Sequence, residues 1–540
     1  MPNTRRMHAP VPTLEVPELL ALRAAAAQEL ALFDVREAGE AHRGHLYGAS
    51  FLPRRQIELR IAELVPRRDT DIVVYDGGEG DTRAARAALT LAGLGYRQVR
   101  ALAGGVRAWQ DSGQALTEGS NVPSKLFGEA VHEAEQVPRL PAQELKRWQE
   151  AARPHLVLDI RSPEEYARSR IPGALGAYGT ELALLAADLR AAGKPVIVHC
   201  SGRTRSIIAC ATLRALGVEE AYALENGTMG WQLAGYTLER EAGAGVLAPT
   251  AGSAATGETG ARALALSAGA QALPRAQFEA WMQERAAGRA NVYPIDVRQL
   301  ERYTAGHIAG STAVPGGLAI QRADEFVPVR AARVVFIDDG EARAWLAAWW
   351  YRRMGFAQVY VLEGGLAAWT QAGGTLDTGR GRTAPAGWAG AQRLARTLAP
   401  EALHALSTAA LNVNVDTSRQ YAQARLPGSI WIRYGDLEDR VTAMDAAERQ
   451  RLVLSCRDGT LSTLAAANLA REGHGEARVL AGGVEAWKRA GYPVDSGADG
   501  AAAQAGDLVV QPYDAGREGM QRYLAWEQQL TARHAQARAH

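Results

Sequence analysis

The chain repeats itself, and the repeat constrains its fold more than any other feature. Two signatures recur four times in the same order. The first is an aspartate closing an apolar run, then an arginine and a helix-like start. It reads Asp34-Val35-Arg36 with Gly44-His45-Leu46, and Asp159-Ile160-Arg161 with Glu165-Tyr166 and Ile171-Pro172-Gly173-Ala174. It returns as Asp296-Val297-Arg298 with Tyr303 and Gly306-His307-Ile308, and in weaker form as Asp416-Thr417-Ser418 with Tyr421 and Leu426-Pro427-Gly428. The second signature is Gly-Gly-x-x-x-Trp, at Gly104–Trp109, Gly364–Trp369 and Gly482–Trp487, with Asn226–Trp231 as a variant.

Between the two signatures lies a further apolar run: Ile72–Tyr75, Val196–His199, Val334–Ile337 and Leu452–Ser455. The residues that follow are Asp76, Cys200, Asp338 and Cys456, and the steps to them from the first-signature aspartates are 42, 41, 42 and 40. Ala84–Leu94, Leu182–Leu189 and Ile207–Leu216 carry helical patterns. Short apolar strands alternating with helices predict an α/β fold, a mainly parallel sheet with helices on both faces. Ligands bind such sheets at the carboxyl ends of the strands, which is where the second and fourth copies hold a cysteine.

A chain of 540 residues exceeds one ordinary core. Four domains are expected, over 12–118, 137–242, 273–378 and 397–497. Residues 243–272, rich in Gly, Ala, Ser and Thr, read as a flexible linker. Residues 515–537 read as an amphipathic helix that docks on a domain. The gaps from each Trp to the next signature aspartate are 50, 65 and 47. The widest is central, so the domains are expected to associate as two pairs of sequence neighbours.

Charge balances, 60 Lys and Arg against 59 Asp and Glu, so no field favours nucleic acid or an anionic membrane. No run of about 18 apolar residues predicts a membrane span. The opening MPNTRRMHAP lacks the apolar run of a secretory leader. Three cysteines, Cys200, Cys210 and Cys456, are too few for a disulfide scaffold and fit a reducing cytoplasm. No ligand spacing suggests a metal or a cofactor.

The D-x-R start, the Cys loop after the central strand and the G-G-x-x-x-W end together resemble the rhodanese family of sulfurtransferases, four times in tandem. In two-domain members of that family an inactive domain, often with Asp at the cysteine position, precedes an active one. The resemblance thus implies that Asp76 and Asp338 mark inactive domains and that Cys200 and Cys456 are catalytic. It implies transfer of sulfane sulfur from thiosulfate or a similar small anionic donor, through a cysteine persulfide, to a thiol, a protein sulfur acceptor or cyanide.

The loop chemistry agrees. A thiol attacks as thiolate, and backbone N–H groups of a small-residue loop, with the start of the next helix, stabilise that charge. Ser201, Gly202, Arg203, Thr204, Arg205 and Ser206 are the expected binding residues around Cys200, with Arg203 and Arg205 adding positive charge. Arg457, Gly459, Thr460 and Ser462 are their counterparts around Cys456. Arg457 directly after the cysteine resembles the active loops of thiosulfate-type enzymes, whereas Asp458 opposes both thiolate and anion. The Cys200 loop is therefore the better site by sequence. Cys210, within a helical run, reads as a core cysteine. The recurrent Asp and Arg residues and the four Trp residues read as structural, and so does His199, which strand alternation turns away from its neighbour's face.

Two other functions fit parts of the pattern. Tyrosine phosphatases and their Cdc25-type relatives carry a longer loop between Cys and Arg; here only Ser201–Thr204 separate Cys200 from Arg205, and Leu461 stands at the corresponding place after Cys456. A non-enzymatic scaffold or sulfur carrier would use the same four domains to pass a persulfide to a partner.

Overall fold

Runs such as Val196–His199 are buried on both faces, so each must lie inside a sheet that is covered above and below. The computed structural model describes residues 11–25, 28–240, 245–381, 384–406, 409–475, 477–498, 500–503 and 505–539. The opening ten residues, and Gly243 and Ala244 at the start of the expected linker, lie outside these. Each copy forms a five-stranded sheet of the same strand order. In the second copy the order across the sheet is Arg139–Leu140, Ala221–Leu224, Val196–His199, Leu156–Asp159 and Leu175–Gly176, and every pairing is parallel. The four expected α/β domains are present, each with the strand that carries the loop at the centre of its sheet.

Register corrects the reading of the fourth copy. Asp34, Asp159 and Asp296 stand opposite Tyr75, His199 and Ile337, the last strand residues before their loops. In the fourth sheet the place opposite Ser455 belongs to Asn414. The Asp416 N–H donates to Asn414 Oδ1 at 2.9 Å, just as the N–H groups of Arg36, Arg161 and Arg298 donate to their aspartates at 3.0, 3.0 and 3.1 Å. The fourth signature is therefore Asn414-Val415-Asp416, with 42 residues from Asn414 to Cys456. An aspartate stands where the other domains carry arginine.

The expected grouping of the first domain with the second, and of the third with the fourth, differs from the compact units. One compact unit comprises Met1–Ala25, Leu30–Ser120 and Thr383–Val509, which hold the first and fourth domains. The other comprises Ala26–Glu29, Asn121–Arg382 and Val510–His540, which hold the second and third. The stretch expected as a flexible linker contains a helix, Ala251–Ser267, capped by the Thr250 hydroxyl on the Ser253 N–H at 3.1 Å. It packs between the helices Leu182–Ala191 and Ala342–Arg353. Its small residues serve close approach: a Cβ at Gly257 would lie 1.8 Å from the Ala183 carbonyl oxygen. Alanine is also the best helix former, so the composition reflects packing and not flexibility.

The C-terminal helix, Gly516–Ala539, lies against the helices Val122–Glu135 and Gly227–Leu233 of the second unit. Met520 and Leu524 pack with Met229 there. No described helix is long and apolar enough to cross a membrane.

Candidate active site

In all four domains the loop leaves a central strand and runs into a helix that begins at Arg83, Thr204, Ala342 or Thr460. The second signature supports that loop from behind. Its first two residues are left-handed in every copy, φ +59° at Asn226 and +53° at Gly227, +66° at Gly482 and +61° at Gly483. A Cβ on Gly227 or Gly483 would lie 2.2 Å from the carbonyl oxygen of Cys200 or Cys456. Glycine is required there because the two backbones touch. The N–H groups of Thr228 and Val484 then donate to those carbonyls at 2.9 Å. The four Trp indoles donate to carbonyls six residues on, at 2.8 to 3.0 Å, which closes each domain.

The Asp–Arg pairs are buried clamps. Arg161 grips Asp159 and the Ser169 carbonyl, and Arg36 and Arg298 do the same with Asp34 and Gly44, and with Asp296 and Gly306. His199 is fully buried with Nε2 3.7 Å from Asp159 Oδ2, and burial holds its pKa below the usual value. Cys210 is buried, donates to the Ala221 carbonyl at 3.2 Å, and is pushed up to about 12 by burial. These residues lie in the interior, away from the loop surface.

At Cys200 the sulfur lies 3.6 Å from Ser206 Oγ, and the residue is 2 % exposed. The two arginines expected to bind an anion are already paired. Arg203 is buried and bidentate on Glu129 at 2.8 and 2.6 Å. Arg205 holds Glu165 at 2.8 and 3.0 Å and reaches Ser201 Oγ at 3.2 Å. Burial alone would raise the Glu165 carboxyl; Arg205 overrides it and holds the group at about 2. Thr204 Oγ1 donates to Glu527 Oε1 of the C-terminal helix at 2.8 Å. Tyr513 contacts the Thr228 hydroxyl and lies 3.4 Å from the Ser201 carbonyl. Sequence reading missed Glu129, Tyr513 and Glu527, and placed Tyr523 on a docking helix without assigning that helix to this loop. Their places in the chain carry no motif, and only the fold brings them to the loop.

At Cys456 the Ser462 N–H points at the sulfur at 3.4 Å, and Ser462 Oγ lies at the same distance. Arg457 is two-thirds exposed and pairs with Glu485 at 2.7 Å. Asp458 Oδ1 caps the Thr460 N–H at 2.9 Å and stands 4.0 Å from the sulfur. Gly459 takes a left-handed φ of +86°, which lets the loop curl back to the helix. Burial pushes the thiol up to about 12, and Asp416 adds to the rise. Asp416 itself is pushed up to about 7 by burial, against the Arg457 amide and with Asp458 adding to it. Sequence reading weighed Asp458 but placed Asp416 in the wrong register.

The other two loops explain what the cradle prefers. Asp76 accepts from the Gly78 and Ala84 N–H groups at 3.0 and 2.8 Å. Asp338 accepts from the Asp339 and Arg343 N–H groups at 2.8 and 2.9 Å. In each of these loops a fixed carboxylate, in the place of the cysteine, accepts from two backbone N–H groups of its own loop and helix start. Among the described residues no group of His, Cys, Asp and Glu could hold a metal ion.

Four copies of a parallel α/β domain, two of them with a thiol in the loop between the central strand and the next helix, define a class of cysteine-loop proteins. The rhodanese-like domain model matches residues 16–112, 141–234, 278–372 and 399–490, and the chain belongs to that family. The crystal structure of a thiosulfate sulfurtransferase from Pseudomonas aeruginosa is 35% identical over 97% of this chain and 97% of its own, with a TM-score of 0.84. The structure of wild-type EanB is 16% identical over 70% of this chain and all of its own, with a TM-score of only 0.24. A search of curated protein sequences finds no significant match.

Proposed function

We propose that the chain is a sulfurtransferase that moves sulfane sulfur from thiosulfate or a similar small anionic donor to a thiol or cyanide. The observation that carries this reading is the Cys456 loop, where the Ser462 N–H is directed at the sulfur at the start of the helix Thr460–Arg471. The likeness to the Pseudomonas aeruginosa enzyme supports it. In the first step the thiolate attacks the outer sulfur of thiosulfate, the S–S bond of the donor breaks, and sulfite leaves with its electron pair. The cysteine is then a persulfide anion, held by the same N–H groups that held the thiolate. In the second step an acceptor thiolate or cyanide attacks the terminal sulfur and the cysteine thiolate returns. Both cysteines are buried, Cys456 at 1 % and Cys200 at 2 % exposure; Arg457 and Asp458 beside Cys456 are exposed, whereas the C-terminal helix touches the Cys200 loop.

Treatment with thiosulfate followed by mass spectrometry tests this. A gain of about 32 Da on the Cys456 peptide is expected, with a smaller extent on Cys200. The Cys200→Ala, Cys456→Ala double variant is expected to form no thiocyanate, while each single variant keeps part of the activity. Full activity in the double variant would place the chemistry elsewhere.

A further inference from the structure

The C-terminal helix brings a carboxylate to the Cys200 loop. Glu527 is 1 % exposed. Its Oε1 accepts from Thr204 Oγ1, at the first residue of the helix Thr204–Ala215. Its Oε2 has no hydrogen-bond partner, although it is buried. That oxygen is aimed at the loop: a Cβ built on Gly202 would stand 3.2 Å from it and 3.4 Å from the Tyr523 ring. The Tyr513 hydroxyl lies 3.4 Å from the Ser201 carbonyl, and the Tyr523 ring stands against the same loop at Gly202. The helix is anchored by Met520 and Leu524 on Met229, and by Lys125 over the rings of Tyr523 and Trp526 at 5.1 and 4.8 Å.

The two cysteine-free loops show how well this place suits a carboxylate, because Asp76 and Asp338 each accept from two backbone N–H groups there. At Cys200 the position that would carry such a group holds sulfur instead, and a carboxylate arrives from a distant part of the chain. Once Glu527 is ionised, an anionic donor approaching the Cys200 loop meets a charge of its own sign in a poorly solvated place, where repulsion is strong.

We infer that the C-terminal helix is a gate on Cys200 that selects by charge, with Glu527 as the residue that turns anions away. Lys125, Glu129 and Arg203 surround Glu527. Arg203 is already paired with Glu129; burial raises the Glu527 carboxyl, and Lys125 opposes that rise. While the helix is seated, Cys200 reacts with neutral partners in preference to anions. Loading by an anionic donor requires the helix to lift. The inference rests on the sulfurtransferase reading only for the identity of the donor.

Alkylation of the full chain tests the gate without any sulfur transfer. Neutral iodoacetamide and anionic iodoacetate are compared over a rising pH series, because burial raises the Glu527 carboxyl and the charge selection should strengthen as that group ionises, with labelling of each cysteine followed by peptide mass spectrometry. Glu527→Gln is expected to raise the iodoacetate-to-iodoacetamide rate ratio at Cys200 about tenfold, with the ratio at Cys456 as an unmoved internal control. Tyr523→Ala, which removes cover and leaves the charge, is expected to speed both reagents at Cys200. An unchanged ratio in Glu527→Gln overturns the charge selection, and unchanged iodoacetamide labelling in Tyr523→Ala overturns the gate. Neither result touches the sulfurtransferase reading, which fails separately if thiosulfate loads neither cysteine.

Discussion

At Cys200 Arg203 and Arg205 are paired with Glu129 and Glu165, and a helix from the end of the chain lies against the loop. At Cys456 the loop surface is open, but Asp416 and Asp458 stand beside the thiol and Arg457 is drawn off to Glu485. The backbone is the same in both: a parallel strand, a short loop, a helix start, and a left-handed Gly pressed on the cysteine carbonyl. Both thiols are buried; at Cys200 part of the cover is a distant helix, while at Cys456 two carboxylates add to what burial does. The difference teaches that the family backbone supplies the cradle, while the side chains around it set access and thiolate content independently. Comparisons within one loop therefore separate these two controls.

The largest effect is expected where the shared backbone itself is broken. A methyl at Gly483 would lie 2.2 Å from the Cys456 carbonyl and 2.5 Å from the Gly459 N–H nitrogen, at a φ of +61°. Gly483→Ala must push the loop away from the Ser462 N–H that faces the sulfur. Loading of Cys456 by thiosulfate is expected to fall about a hundredfold, the scale on which misplaced reacting groups lose rate, while Cys200 keeps its rate. Peptide mass spectrometry after a short thiosulfate pulse reads both sites in one sample. Equal loss at both cysteines would mean general unfolding and not a local cradle.

A smaller effect follows from charge. Ionised Asp416 disfavours the Cys456 thiolate, and Asp416 is pushed up to about 7 by burial. The sign is fixed: as pH rises through that value, Asp416 gains charge and the thiol becomes harder to ionise. Asp416→Asn removes this brake. Iodoacetamide labelling of Cys456 is expected to be about tenfold faster in the variant at pH 8, the equivalent of about one pKa unit. The advantage should fade below about pH 6, where Asp416 is protonated in the parent chain. Slower labelling in Asp416→Asn at pH 8 would make Asp416 a helper of the thiolate and invert the comparison.

The fold was legible because period and order survive substitution. The cysteine position lies 41 or 42 residues after the strand-closing Asp or Asn, and the Gly-Gly-x-x-x-Trp turn or its Asn226 variant begins 26 to 28 residues further on. The fourth signature misled because Asp416 matches the motif by identity while Asn414 matches it by register, and only the ladder opposite Ser455 separates them. The stretch around Ala251–Ser267 misled because small residues serve both flexible chains and tight helix packing. The site was half legible. Cys200, Cys456 and their loops are local in sequence, whereas Glu129 and Glu527 reach Cys200's loop across 74 and 323 residues of chain. Pairing of Arg203 with a distant carboxylate leaves no trace in the loop that a motif could carry.

The smallest effect concerns Arg457, whose position beside the cysteine suggests a donor-binding role. Its side chain is two-thirds exposed and tied to Glu485 at 2.7 Å, and exposed pairs of this kind contribute little. In this arrangement Arg457 offers an anion only a solvent-screened charge. Arg457→Ala is expected to slow thiosulfate loading of Cys456 by about threefold or less, and Glu485→Ala, which frees the guanidinium, to speed it by a similar factor. Both changes should shrink as salt is raised, because screening weakens exposed charges first. A loss of more than about thirtyfold in Arg457→Ala that persists at high salt would instead mean that the guanidinium leaves Glu485 and closes on the bound donor, a desolvated contact of the strength seen for charge-assisted pairs. Cys456 would then be the site with a moving cation, set against Cys200 with its fixed arginines and moving carboxylate.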